Sequence, residues 1–569
     1  MKKGYFCFVL HSHLPYVRKA GRWPHGEEMV HEALAETYIP LLDALYDLKQ
    51  DGFAPKLTLG LTPILIEQLS DKAVKEHFEL YLLERLETVQ EDVERYEREQ
   101  HGHLLYLARF YRDWYRHILE SFQERYKRDV VKAFGRLLRD GNVDIITSAA
   151  THCYLPLAER DSTIYGQLKT GIESYRRHFG QSPRGIWLPE CGYRPGYFKE
   201  NGKAYYKPGL EEFLADFNLQ YFFTDTHVIQ GGELIGKVAG DVAGPYGGLP
   251  NRKLVTKVDK RPKAKDRTTF RPYYVESTKV AVFGRDARTG LQVWSAAHGY
   301  PGDFVYREFH RKDSTSGMQY WKVTGAGTDL GDKEFYDPAP ALETARHHAQ
   351  HFAHLVQGLV NGYYTRKESP GIVVSAYDTE LFGHWWFEGV YWLKEVLRNL
   401  CQNEDVGLTT AYDYIKSYPP QEVLSIPESS WGLGGGHWTW SNPGTEWMWP
   451  LIHAAERRME QVVERYPDSS GDQLALLNQA ARELVLLESS DWPFLISTGQ
   501  AKEYATGRFQ QHVARFNHLL SIVEAGQVSS EDARFLHTTV DLDNPFPTID
   551  YRAFKEREQA ATPPVAAAR

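Results

Sequence analysis

The sequence predicts an α/β barrel, on three observations. Seven short apolar runs lie near residues 5–10, 57–61, 143–148, 185–188, 220–224, 291–295 and 372–376. Each has the length and the β-branched or aromatic content of a strand covered on both faces. Amphipathic stretches such as Glu32 to Lys49 and Ile164 to Phe179 separate several of them, the alternation of a parallel sheet with flanking helices rather than of a β-sandwich. Most runs end abruptly on polar or ionisable residues, and parallel barrels gather reactive groups at the C-terminal ends of their strands.

The elements follow in order. The first run ends in His11-Ser-His13-Leu-Pro-Tyr16. Between the second and third runs, residues 71–140 contain no proline and are dense in charge. Leu82, Leu83, Leu86, Val89 and Val93 form an apolar stripe there, which predicts two or three helices with a solvated outer face. The fourth run, Arg184-Gly-Ile-Trp-Leu-Pro-Glu190-Cys-Gly-Tyr193, delivers a carboxylate into a Gly/Pro-rich turn. After the fifth run, residues 228–270 read as a long exposed loop; loops beyond about 12–15 residues are commonly functional lids or disordered segments. The seventh, Gly371-Ile-Val-Val-Ser-Ala-Tyr-Asp378, delivers a second acid into Thr-Glu-Leu-Phe-Gly-His384-Trp-Trp386. Beyond it the chain turns largely helical, at 446–466, 472–488 and 501–525, and its last ten residues read as a disordered tail. The expected division is therefore a catalytic barrel over 1–70 and 141–410 and an inserted helical domain over 71–140. A C-terminal helical domain over 411–555 contributes to the cleft, and 556–569 form the tail.

Bulk properties narrow the function. At 569 residues the chain exceeds one compact core. A net charge of −9 argues against nucleic acid or an anionic membrane as main partner. Cys7, Cys153, Cys191 and Cys401 lie far apart without a CxxC pair, so neither a disulfide framework nor a zinc ribbon is expected, and a reducing cytoplasm fits. The first apolar run is too short for a signal segment, and no stretch approaches the roughly 20 apolar residues that span a bilayer. Oligomeric state is not legible. Aromatic content is high, 13% with 14 Trp, and many of these residues stand beside Gly, His and acids in loop-like sequence.

Two strand-end acids among Trp, Tyr and His point to carbohydrate chemistry. Glycoside cleavage needs one carboxylate at the anomeric carbon and a second acid to protonate the leaving oxygen; in retaining enzymes they stand about 5–5.5 Å apart. Glu190 and Asp378 suit these roles, and the bland alternative is that each caps a helix or joins an ion pair. Trp187 and Trp385-Trp386 beside them weigh against it, since flat aromatic faces stack on sugar rings. His11 and His13 project to one side of a strand and can bind a metal, with His152 and Asp225 as further ligands. They can equally hold substrate hydroxyls or be satisfied in the core. Ser430-Trp431-Gly-Leu-Gly-Gly-Gly-His437-Trp-Thr-Trp440 lacks the Lys-Ser/Thr of a phosphate loop and reads as a mobile loop carrying Trp431, Trp438 and Trp440 towards a glucan. Asp491 in Asp491-Trp-Pro-Phe494 either reaches the same cleft or packs a domain junction.

Several blocks together resemble glycoside hydrolase family 57, nearest to its 1,4-α-glucan branching enzymes. They are His11-Ser-His-Leu-Pro-Tyr-Val-Arg18, Trp187-Leu-Pro-Glu-Cys-Gly-Tyr-Arg-Pro195, Tyr221-Phe-Phe-Thr-Asp-Thr-His227, Ser375-Ala-Tyr-Asp-Thr-Glu-Leu-Phe-Gly-His-Trp-Trp386 and Ser490-Asp-Trp-Pro-Phe494. The resemblance runs from about residue 4 to about residue 552. It implies a distorted (β/α)7 barrel with an inserted and a C-terminal helical domain, and a retaining mechanism without metal or other cofactor. It implies Glu190 as nucleophile and Asp378 as general acid/base, with His11, His13, His152, Trp187, Asp225 and His384 lining the donor subsite. Branching enzymes of the family carry a tyrosine on a loop over the cleft, and Gly244-Pro-Tyr246-Gly matches it. Trp23, Trp294, Trp431 and Trp440 are the expected stacking platforms. The implied partner is an α-1,4-glucan; the activities to separate are branching, hydrolysis and 4-α-glucanotransfer, with a metal-dependent deacetylase as a distant alternative.

Overall fold

The computed structural model describes residues 2–201, 203–231, 252–254, 263–276, 278–295 and 299–557. Seven parallel strands form the centre: β1 (Gly4–Ser12), β2 (Leu57–Leu61), β3 (Val143–Ile146), β4 (Gly185–Ile186), β5 (Tyr221–Thr224), β6 (Ala281–Gly284) and β7 (Gly371–Asp378). Ladders join β7 to β1, β1 to β2 and β2 to β3, and on the far side β4 to β5 and β5 to β6. Two thin seams close the ring. Thr147 bridges to Ile186, with the Trp187 N–H on the Thr147 carbonyl at 2.9 Å; at the other seam the Asp286 N–H reaches the Val374 carbonyl at 2.8 Å. The fold is thus a seven-stranded α/β barrel, distorted where β4 is shortest.

Side-chain alternation divides the barrel into two cores. Cys7, Val9, Phe223, Phe283, Val374 and Ala376 fill the interior. Phe6, Phe8 and Leu10 of β1 face outward into the helical layer, as a period of two requires.

Helices α1 (Lys72–Arg98) and α2 (Gly102–Glu120) stand in the stretch between β2 and β3 and pack against each other. Of the stripe expected from sequence, Leu82, Val89 and Val93 are buried on α1, joined by Val74 and Phe78, whereas Leu83 is exposed and Leu86 only partly covered. Helix α3 (Asp161–Phe179) connects β3 to β4.

The expected sixth strand at 291–295 is a correction. Those residues belong to helix α4 (Ala287–Trp294), whose N-cap Asp286 accepts from the Thr289 N–H at 2.9 Å. Thr289 and Val293, four apart, are buried while Leu291 faces solvent. A five-residue apolar run has no decisive period, and here the tighter run from Ala281 to Gly284 takes the strand.

Helices α5 (Met448–Arg465), α6 (Gly471–Leu487), α7 (Asp491–Thr498) and α8 (Lys502–Ala525) share a separate core around Leu484, Trp492, Phe509 and Phe516. Tyr16, Ile64 and Ala150, from the segments that follow β1, β2 and β3, pack into that core. The helical region is therefore docked on the rim where the strands end. No helix among the described residues is long and apolar enough to cross a membrane.

Candidate active site

The barrel's alternation aims the polar residues. On β1, Cys7 and Val9 face inward and His11 continues the phase; on β7, Ile372, Val374 and Ala376 lead to Asp378. Tyr221 and Phe223 lead likewise to Asp225, and Ala281 and Phe283 to Arg285. The β1–β7 ladder sets His11 level with Asp378. Four strands thus deliver an imidazole, two carboxylates and a guanidinium to one mouth.

Glu190 arrives by a turn. It follows β4 with φ 61° and ψ 25°, a left-handed conformation that non-glycine residues seldom adopt and that costs about 1–3 kcal/mol. The Trp431 N–H bonds its carbonyl at 3.1 Å, and the Trp431 indole N–H donates to its Oε2 at 2.7 Å. Burial pushes the Glu190 carboxyl up to about 8; the Trp431 bond opposes this, and the charges of Asp378 and Asp491 add to it. The two acids expected from sequence therefore act on each other across the mouth.

Three imidazoles pack beside them. The Nε2 atoms of His11 and His152 meet at 3.0 Å, and the His13 and His152 rings stack at 3.9 Å. Burial, then the neighbouring imidazole charge, holds His11 and His152 well below the usual histidine range, so both are neutral. The Trp187 ring stacks on His11 at 4.8 Å. The C-terminal region fixes the other ring nitrogens: His152 Nδ1 bonds Ser490 Oγ at 2.9 Å, and His13 Nε2 bonds Asp491 Oδ1 at 2.9 Å. Asp491 thus ties the C-terminal helices to His13 at the end of β1.

Asp225 accepts both arms of Arg285, at 2.8 and 3.0 Å. Against the upward push of burial, His227 and Arg285 hold its carboxyl down at about 2. Sequence reading missed Arg285 because it missed β6; the run Ala281-Val-Phe-Gly-Arg285 carries the same signal as the other strands. His384 donates through Nδ1 to Glu36 Oε2 at 2.7 Å, and Arg307 backs Glu36 at 3.1 Å. Glu36 lies on a π-helical turn, Leu34–Tyr38, and was also missed; such turns often mark functional sites.

The aromatic expectations divide. Trp431 contacts Glu190, whereas Trp23 stands 74% exposed on the loop after β1. Trp294 ends helix α4 beside Tyr377, its ring 6.4 Å away, and not a strand. Trp440 is a correction: it is 1% exposed and stacked on Tyr154 at 4.2 Å, part of the packing rather than a platform. The glycine run permits this, since a Cβ at Gly432 would lie 2.7 Å from the Trp440 ring. Tyr246 lies outside the described residues.

Residues 7–427 match the description of glycosyl hydrolase family 57. The chain belongs to that family. Within family 57, residues 451–554 also match the C-terminal region of 1,4-alpha-glucan branching enzymes. A 1,4-alpha-glucan branching enzyme of Thermococcus kodakarensis is 42% identical over 96% of this chain and 77% of its own length. The crystal structure of a family 57 branching enzyme from Pyrococcus horikoshii superposes with a TM-score of 0.86 at 40% identity, covering 99% of this chain and 98% of that one. An alpha-amylase from Thermotoga maritima superposes with a TM-score of 0.80 at 31% identity, over 98% and 100%.

Proposed function

We propose that the chain is a 1,4-α-glucan branching enzyme. It cleaves an α-1,4 linkage by a retaining double displacement and passes the severed chain to a 6-hydroxyl, forming an α-1,6 branch. One observation carries this reading: residues 451–554 match the branching-enzyme C-terminal description, and that segment supplies the Asp491 that holds His13.

Glu190 attacks C1 while Asp378 protonates the departing 4-oxygen, so the C1–O4 bond breaks as a C1 ester to Glu190 forms. Asp378, now ionised, takes the proton of an acceptor 6-hydroxyl, whose oxygen attacks C1 and frees Glu190. The charge of Asp378 adds to the burial that raises the Glu190 carboxyl. Positive charge developing at C1 favours ionised Glu190 and leaves the proton on Asp378, where the leaving oxygen needs it. His11, His13, His152, Trp187, Asp225 and His384 bind the donor sugar, Trp431 orients Glu190, and Trp23 and Trp294 guide the chains. Tyr246 gates water. Residues 411–555 act as a helical domain closing the cleft.

The same reading makes the partner an α-1,4-glucan polymer of the glycogen type. It places the enzyme in the cytoplasm, which the four free cysteines support. Hydrolysis is the second reading, favoured by the full-length likeness to an alpha-amylase. Incubation with amylose separates them. Branching yields α-1,6 anomeric proton signals without matching growth of reducing ends; reducing ends as the main product would overturn the proposal.

A further inference from the structure

A cavity of about 400 Å³, lined by neither Glu190 nor Asp378, lies between the segment after β1 and helix α8. Arg18, Lys19 and Ala20 form one wall; Tyr504, Arg508 and Gln511 form the other. Its size falls within the ~300–1,000 Å³ of small-molecule sites. Both walls continue from residues at the barrel mouth, since Arg18 follows His13 by five positions and α8 follows the short helix headed by Asp491.

Its chemistry suits a neutral polyol. The cations already face carboxylates: Lys19 meets Asp541 at 2.7 Å, Arg18 meets Asp71 at 3.0 Å, and Arg515 and Arg508 both meet Asp543, the latter at 3.8 Å. Glu503 adds another carboxylate to the lining, so no net positive field is left to select a phosphate. Arg508 is 6% exposed and its Nη2 is held 3.0 Å from the buried His512 Nε2, inside the wall. Tyr504 offers a ring, with the His25 imidazole 5.8 Å away, and the exposed Trp23 stands three residues beyond Ala20.

Gly507 is the second, independent sign. It lines the cavity from within helix α8, where glycine is a poor helix former, and a Cβ there would meet nothing within 4 Å. No packing or backbone constraint accounts for the missing side chain; an open cavity does.

We propose that this pocket is a second glucan-binding site, seating glucosyl units of an α-1,4 chain outside the catalytic cleft. The proposal rests on the reading of the enzyme as acting on α-glucan. Hydroxyls pair with Gln511, Glu503 and Lys19, and the sugar face lies against Tyr504.

The test fills the pocket. Calorimetric titration of the Glu190→Gln protein with maltoheptaose gives two sites per chain, and one when Gly507→Phe is added. In the active enzyme, Gly507→Phe raises KM for amylose about tenfold with no change in turnover of short maltooligosaccharides and no fall in Tm. Should Tm fall, Gln511→Ala, on an exposed helix position, gives the same readouts. Unchanged stoichiometry and unchanged KM for amylose in both variants would overturn the site. Loss of one site by an enzyme that makes no α-1,6 bonds would leave the pocket standing and remove the branching reading, so the two failures are distinguishable.

Discussion

Glu190 is held where an ionised carboxylate is least comfortable: in a left-handed turn, desolvated, and facing a second acid. That arrangement works against stability, and the direction follows from proton linkage. The unfolded chain releases the Glu190 proton near its ordinary value of 4.5, the folded chain at about 8. Between those values the folded state holds a proton that the unfolded state has lost, so stability falls as pH rises through this window. Below it no penalty exists. Glu190→Gln therefore raises Tm over wild type at pH 8 but not at pH 4, while lowering kcat by roughly 10⁴-fold or more; calorimetry at both pH values with product assays checks this. Trp431→Phe removes the one donor that favours the charged form. A hydrogen bond to a charged group is worth about 1.5–3 kcal/mol, so the rise of kcat/KM with pH moves up by about 1–2 units, as a pH–rate profile will show. Both acids were legible because each ends an apolar run. Glu36 and Arg307 were not: they lie on helical and irregular sequence far from His384, and nothing local marks them.

At the scale of elements, β1 and β7 were readable because eight or nine residues establish a period. β6 has only four, and a second apolar run lay ten residues on. The loop after β7 shows how an element is locked from outside. Gly383 has φ 101°, and a Cβ there would stand 1.8 Å from the Glu36 carbonyl oxygen. The glycine lets the loop press on the π-helical turn so that His384 meets Glu36. Gly383→Ala accordingly destabilises the protein by about 2–4 kcal/mol. It also lowers kcat/KM, because His384 loses its anchor; chemical denaturation and kinetics on the same variant test both effects.

Across the whole molecule, the site is complete only when the helical region is docked. Ser490 and Asp491 bond His152 and His13, and Gln167 of α3 donates to the buried Glu488 at 2.8 Å beside them. Asp491→Ala leaves the fold largely intact but removes the partner of His13 Nε2, leaving the ring held only by Thr62 Oγ1 at 3.1 Å and its stack on His152, and a displacement of about 1 Å at a reacting centre can cost 10²-fold in rate. A loss of that order in kcat/KM with little change in Tm is expected; full activity would mean that the docking is structural only. The sequence by itself determined the barrel class and the strand-end positions of Glu190 and Asp378, because strand burial, the period of two and strand-end polarity are properties of contiguous residues. Only the tertiary structure decided the partners around the mouth. Trp431 reaches Glu190, Arg285 reaches Asp225, Glu36 reaches His384 and Asp491 reaches His13 from segments tens to hundreds of residues away. Trp440 went the opposite way, into the core, because the packing around Tyr154 claimed a ring that local sequence left free.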